Sequence, residues 1–275
     1  MAKKYDDYSV LMSVYGKEKP EFLRESMQSM YDQTVPTNDF VLICDGPLTD
    51  GLNKVIDEMQ GKFGKRLRVI RQKKNMGLGY SLNHGVKECK NELIARMDSD
   101  DISVKDRIER QFVVFEKTGA DVVGGNISEY DEDMVKLIGH RIVPQRNNEI
   151  VERIKKRNPV NHMTVVLKKS KVIKVGNYLD MPFFEDYCLW ARMLKNNYTF
   201  FNIQDDLVKV RGGFGMVERR GGARYIRPIV SFQNYLLKLG LISHWTYVSN
   251  IIVRIIVSIL PSRVRCILYM KKMRD

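Results

Sequence analysis

Four short apolar runs, Ser9–Val14, Asp39–Cys44, Leu67–Ile70 and Glu92–Met97, alternate with segments patterned as helices. Pro20 opens the first of these, which carries Phe22, Leu23, Met27, Met30 and Tyr31 on one face. The second runs from about Leu52 to Met59, and the third enters through a glycine-bearing turn and ends near Cys89. Strand–helix alternation at this spacing predicts right-handed crossovers, and hence an α/β, Rossmann-like, mostly parallel sheet flanked by helices. Ligands on such sheets bind beyond the carboxyl ends of the strands. Tyr15, Asp45, Asn75 and the run Asp98-Ser99-Asp100-Asp101 all fall at that end of successive strands.

The fourth run stops at three carboxylates within four residues. Like charges this close repel unless something cationic lies between them. A strand terminus aims alternate side chains, here Asp98 and Asp100, at one point outside the sheet edge. Two hard oxygen ligands at one point suit Mg²⁺ or Mn²⁺, which keep other positions for water and substrate phosphate. The plainer alternative is that these residues cap a helix beginning near Lys105. Plain readings exist for Asp45-Gly46-Pro47, as a turn, and for Asn75, as a helix cap. Gly77 and Gly79 permit close backbone approach, but the turn matches neither GxGxxG nor a Walker A loop.

Beyond the acids, Lys105–Lys117 is predicted helical, Asp121–Asn126 a strand, and Asn147–Arg157 a mostly exposed helix. His162 sits where the loop from Asn158 enters a strand, as a structural or an acceptor-site residue. Phe183–Leu194 reads as a helix with an apolar stripe, Cys188, Leu189 and Met193, packing on the sheet. Glu185 and Asp186 occupy its first turn, where the helix dipole favours carboxylates, so capping competes with a chemical role.

The order and spacing of SVLMSVY, VLICDGP, NMGLGYSLN and ARMDSDD resembles the family-2 inverting glycosyltransferases of the GT-A fold, of the bacterial surface-polysaccharide (O-antigen or capsule) type. The resemblance covers roughly Ser9 to Arg211. It implies a nucleotide-sugar-binding half, 1–101, and an acceptor half, 102–211, with Tyr15, Asn75 and Gly77 among the donor-site residues. Asp45 would contact nucleobase and ribose, while Asp98 and Asp100 would hold the ribose and a Mn²⁺ or Mg²⁺ ion on the diphosphate. Asp101 matches a frequent extra acid. Glu185-Asp186 matches the base motif, with Asp186 taking the acceptor hydroxyl's proton. Glu185, His162, Asp101 and Arg211 fall to the acceptor or the diphosphate. Inverting transfer needs one base and a Lewis acid on the leaving group, and not a retaining glycosidase's paired acid and nucleophile. The family's QxxRW motif is absent, which argues against processive polymerisation.

Charge divides the chain unevenly. Residues 207–275 hold 13 Lys/Arg against 2 Asp/Glu, whereas the preceding 206 hold 33 against 31. A basic surplus in one quarter points to a phosphate-bearing surface or ligand. Lys209–Gly215 and Arg219–Gly222 read as a basic loop, either closing over a diphosphate or connecting. Tyr225–Leu239, Thr246–Leu260 and Arg263–Met273 read as helices of a basic amphipathic extension, 212–275. In the middle one Asn250, Arg254 and Ser258 recur every four residues among Ile, Val and Leu. Arg254 interrupts the apolar stretch short of the ~20 residues that spanning requires, which favours a helix lying in the plane of an anionic membrane. The alternative is a helix buried on the domain with its arginine outward. The Met-Ala-Lys-Lys start lacks a secretory pattern, and Cys44, Cys89, Cys188 and Cys266 lie far apart, as in a cytosolic protein with reduced thiols.

These readings converge on a cytoplasmic enzyme, peripheral on the inner face of the cell membrane, that moves a sugar from a nucleotide sugar, UDP by resemblance, to a polyprenyl-diphosphate-linked glycan. A basic nucleic-acid-binding protein leaves the acids and Asp186 unexplained, and no RNA-binding or zinc signature accompanies it. A sugar nucleotidyltransferase would differ by releasing diphosphate.

Overall fold

The computed structural model describes residues 7–212, 222–261 and 264–265. The alternation read from the sequence folds as β1 (Tyr8–Tyr15), α1 (Pro20–Tyr31), β2 (Asp39–Asp45), α2 (Asp50–Phe63), β3 (Leu67–Arg71), α3 (Leu78–Glu88) and β4 (Leu93–Asp98). These four strands pair in parallel in the order β3-β2-β1-β4. The second half adds β5 (Ile102–Ser103), α4 (Arg107–Thr118), β6 (Val122–Tyr130), β7 (Leu137–Arg141), α5 (Asn147–Arg153), β8 (Val166–Lys168), α6 (Lys169–Lys174), α7 (Glu185–Lys195) and β9 (Phe200–Arg211). Antiparallel β8 bridges β4 to β6, β9 runs parallel to β6, and β5 and β7 pair antiparallel to β9 and β6. The expected mostly parallel α/β sheet is therefore present, with an antiparallel seam where the two halves join.

Side chains alternate faces along each strand, which divides the core in two. Val10, Met12 and Val14 of β1 join Phe40, Leu42 and Cys44 of β2 against α1 and α2. Leu11, Val41 and Ile43 point the other way, against Leu82 and Val86 of α3. Each fully buried aliphatic contributes about 1.5–3 kcal/mol. The strands carry such residues on both faces, and no surface strand could.

Helix α7 is buried all round from Tyr187 to Leu194, and not along a single stripe. The reason is α8 (Ala223–Lys238), which buries Ile229, Phe232 and Leu236 in the same core. Phe232 stacks on Phe184 with centroids 4.5 Å apart and lies 4.4 Å from the Tyr187 ring. The first helix of the basic extension thus packs into the domain.

Helix α9 (His244–Ile259) packs with its polar side inward. Asn250 Nδ2 donates to the Lys155 carbonyl at 2.8 Å and to Gln233 Oε1 at 3.0 Å. Arg254 Nη2 donates to the Lys156 carbonyl at 2.9 Å, and its guanidinium lies 5.9 Å from the centre of the Phe184 ring. Ser258 is buried, and Arg265 closes the helix end on the Ser258 and Leu260 carbonyls. Arg254 therefore faces the domain, opposite to the outward arginine expected of a domain-packed helix. Of the third helical segment expected, only Val264 and Arg265 fall within the described residues, and they are helical. No described helix is long and apolar enough to cross a membrane.

Candidate active site

The carboxyl ends of β1, β2 and β4 lie side by side, with Tyr15 paired in register to Asp45 and Ser13 to Asp98. Asp45 is buried and binds backbone: its carboxylate accepts from Met76 N–H at 2.7 Å and Gly77 N–H at 3.0 Å. Asp45 thereby braces the loop that leads into α3, whose N-cap is Gly77 with no side-chain cap bond, so Asn75 does not cap the helix as the plain reading had it. Asn75 is exposed and donates its amide to the Asp45 carbonyl at 3.3 Å. Gly46 lets the two loops touch, since a Cβ there would stand 2.6 Å from Asn75 N. Gly77 turns the chain at φ +88°, a region that L side chains rarely adopt. Tyr15 is 40% exposed at the rim.

The carboxylates of Asp98, Asp100 and Asp101 converge, with oxygens within 4.8 Å of one another. The cluster caps no helix: α4 starts at Arg107, and the preceding Asp106 makes no side-chain cap bond. Burial, then Asp98 and Glu18, push Asp100 up to about 7. Burial, then Asp100 and Asp98, hold Asp101 well above the ordinary carboxylate range. Three hard oxygen donors whose charges are mutually opposed form a fitting seat for a divalent cation.

Two residues absent from the sequence expectations shape this corner. Arg96 is buried two residues before Asp98 on the same strand face, and Nη2 pairs with the Asp98 carboxylate. Its Nε and Nη1 have no hydrogen-bond partner among the described residues. A charged residue in the apolar run of β4, at period two from Asp98, was the available signal. Glu18 accepts from Ser99 Oγ at 2.7 Å. Arg211 ties β9 to the acid loop: its N–H donates to Asp101 Oδ1 at 3.0 Å, and Nη1 to the Asp100 carbonyl. Its guanidinium also pairs with Glu25 and lies 4.1 Å from the centre of the Phe22 ring. Arg211 is thus a buckle on the loop rather than an open phosphate ligand.

Glu185 and Asp186 open α7 as expected. Asp186 Oδ1 accepts from Tyr187 N–H at 2.7 Å, and Oδ2 from the Asn158 side-chain amide at 2.6 Å. In the sequence Asn158 marks only the start of the loop leading to His162. Burial pushes Glu185 up to about 7. Its Cγ abuts α3, where a Cβ on Gly79 would come within 3.0 Å of it and 2.7 Å of the Leu179 carbonyl. His162 hydrogen-bonds Tyr178 Oη at 2.8 Å, and burial together with Arg96 holds it well below its ordinary pKa, hence neutral. The structure brings Tyr15, Asp45, Asn75, Gly77 and the Asp98–Asp101 cluster to one sheet edge, sets Glu185 against Gly79 of α3, and gives His162 a core partner.

The sequence model described as "Glycosyl transferase family 2" matches residues 9–173. The amylovoran biosynthesis glycosyltransferase AmsE of Erwinia amylovora is 38% identical over 235 residues, covering 85% of this chain and 86% of that protein. The UDP-Gal:alpha-D-GlcNAc-diphosphoundecaprenol beta-1,3-galactosyltransferase of Escherichia coli is 36% identical over 273 residues, covering 97% and 96%. Among solved structures, S. aureus TarS 1–349 superposes with a TM-score of 0.64 at 17% identity, covering 92% of this chain and 71% of that one. That likeness shows the shared GT-A fold. The parallel N-terminal strands, the acid triad at their carboxyl edge and these relatives together place the chain in glycosyl transferase family 2, and the protein is a glycosyltransferase.

Proposed function

We propose that the enzyme transfers a sugar, with inversion, from a UDP-sugar to a hydroxyl of a glycan carried on a polyprenyl diphosphate, in surface-polysaccharide synthesis. The convergence of Asp98, Asp100 and Asp101 at the carboxyl edge of the sheet carries the donor side of this reading. The names of two relatives support the rest, one acting in amylovoran biosynthesis and one on a diphosphoundecaprenol-linked GlcNAc.

Asp98 and Asp100 would hold Mn²⁺ or Mg²⁺, with Asp101 behind them. Such an ion, when bound, neutralises the developing charge of the leaving diphosphate. The protein supplies the remainder. Asp45 fixes the loop 75–77 by binding two of its N–H groups, so the donor meets a preformed edge. Arg96 holds the Asp98 carboxylate from behind. Asp186 accepts the proton of the attacking hydroxyl, and Asn158 keeps that carboxylate oriented. The enzyme would work peripherally on the inner face of the cell membrane, where a lipid-linked acceptor is presented.

Screening UDP- and GDP-sugars for Mn²⁺-dependent hydrolysis, followed by transfer to GlcNAc-diphosphate on a short alkyl chain, tests this reading. Release of UDP with inverted product supports it. Release of diphosphate from UTP and a sugar 1-phosphate, without transfer from any UDP-sugar, would instead make the enzyme a nucleotidyltransferase.

A further inference from the structure

Helix α9 turns its hydrogen-bonding residues to the domain and its hydrocarbon to the outside. Trp245, Val248, Ile252, Ile256 and Ile259 follow one another at intervals of three and four residues, with 84%, 44%, 52%, 56% and 67% exposure. That spacing is one face of a helix. Val253 and Val257 widen it. A helix docked on its own domain normally does the opposite, because apolar burial holds it there. Here Asn250 and Arg254 hold it by bonds to the 155 and 156 carbonyls.

From this inversion we propose that the outward face of α9 seats the enzyme on an anionic bilayer, lying flat with Trp245 at its leading end. The inference rests on the reading of a lipid-linked acceptor and assigns the surface that meets the lipid. Sixteen residues span about 24 Å of helix, short of the ~30 Å hydrocarbon layer, so this face enters one leaflet in plane. Tryptophan suits the water–lipid boundary, and β-branched aliphatics suit the acyl region. Charge selects lipid over a second copy of the chain. Residues 207–275 carry a surplus of 11 positive charges, which repels a like copy and attracts anionic headgroups.

The seat lies beside the acceptor chemistry. Arg254 rests near the ring of Phe184, the residue before Glu185-Asp186. The Lys155 and Lys156 carbonyls that α9 grips stand three and two residues before Asn158, the partner of Asp186. An acceptor diphosphate anchored in the same leaflet would arrive at this corner.

The test uses the full chain, with vesicles of phosphatidylcholine alone or mixed with phosphatidylglycerol. Trp245 emission should shift to the blue on mixed vesicles, and a Trp245→Phe variant should lose that shift while Trp190 stays silent in the core. Ile252→Ser combined with Ile256→Ser should weaken vesicle binding roughly tenfold or more, because two exposed isoleucines no longer enter the bilayer. The same variant should keep its far-ultraviolet spectrum and its transfer to GlcNAc-diphosphate on a short alkyl chain. Undiminished vesicle binding by the double variant overturns the proposal. So does a wild-type dimer in light scattering that the double variant abolishes without vesicles being bound. Loss of short-chain transfer in both proteins would count against the proposed reaction and leave the lipid seat standing.

Discussion

The side-chain amide of Asn158 donates to Asp186 Oδ2 at 2.6 Å, across an interval of 28 residues. A neutral donor at that distance stabilises the ionised carboxylate and fixes its plane. Asn158→Ala should therefore lower kcat by roughly tenfold or more, the scale of a hydrogen bond to a charged group. The KM for the nucleotide sugar should barely change. Asn158→Asp sets two carboxylates together and should move the acidic limb of the kcat–pH profile to higher pH. A profile identical to wild type in both variants would remove Asn158 from the mechanism.

Asp186→Asn should lower kcat by about 10² or more, the scale of general-base catalysis, with nucleotide affinity nearly unchanged. Glu185→Gln should be milder, since Glu185 is packed against α3. Single-turnover measurements of both variants decide the matter. An inactive Glu185→Gln beside an active Asp186→Asn would reverse the assignment.

Asp100 and Asp101 supply a stability test. With both carboxyls raised, the native apoprotein holds protons that the unfolded chain has released between roughly pH 4 and 7. Stability contributed by these groups is present at low pH and falls as pH rises through that window. A divalent cation takes the place of the protons. In EDTA, Tm should be lower at pH 8 than at pH 6, and Mn²⁺ should close most of the gap. Asp100→Asn should flatten the slope, abolish transfer and leave the fold intact. A metal-insensitive Tm at pH 8 would remove the triad as a cation seat.

Ending the chain after Leu241 removes α9 and keeps α8, whose Phe232 is stacked on Phe184. The shortened protein should fold, bind nucleotide sugar and act on a short-chain acceptor, yet leave the membrane fraction. Gln233 loses its Asn250 partner, so a modest drop in Tm is expected. Aggregation, or loss of nucleotide-sugar binding, would make α9 part of the core.

The N-terminal half was legible because its information is local. Runs such as VLICD and ARMD fix a buried strand and its polar end within a few residues, and period two then places Asp98 and Asp100 together. Asn158 and Arg211 were not legible in their roles, because each acts on a carboxylate far away in the chain. Arg96 was within reach, since an arginine inside an apolar strand must have a reason. The orientation of α9 was the hardest reading. A stripe of Asn, Arg and Ser on an otherwise apolar helix is equally consistent with facing water or facing carbonyls. Only the Lys155 and Lys156 carbonyls, which accept from Asn250 and Arg254, decide between them.

Gly79 has a consequence for how the cleft is gauged. Where α3 meets α7, the missing Cβ lets a helix backbone touch the Leu179 carbonyl and the Glu185 side chain directly. The distance between the start of α3 and Glu185-Asp186 is thus set by backbone thickness at Gly79, with no side chain there to take up slack by changing rotamer. One added methyl group would act as a shim between the two halves. It would shift Glu185 and Asp186 relative to α3 while leaving Asp45, Asp98 and Asp100 in place.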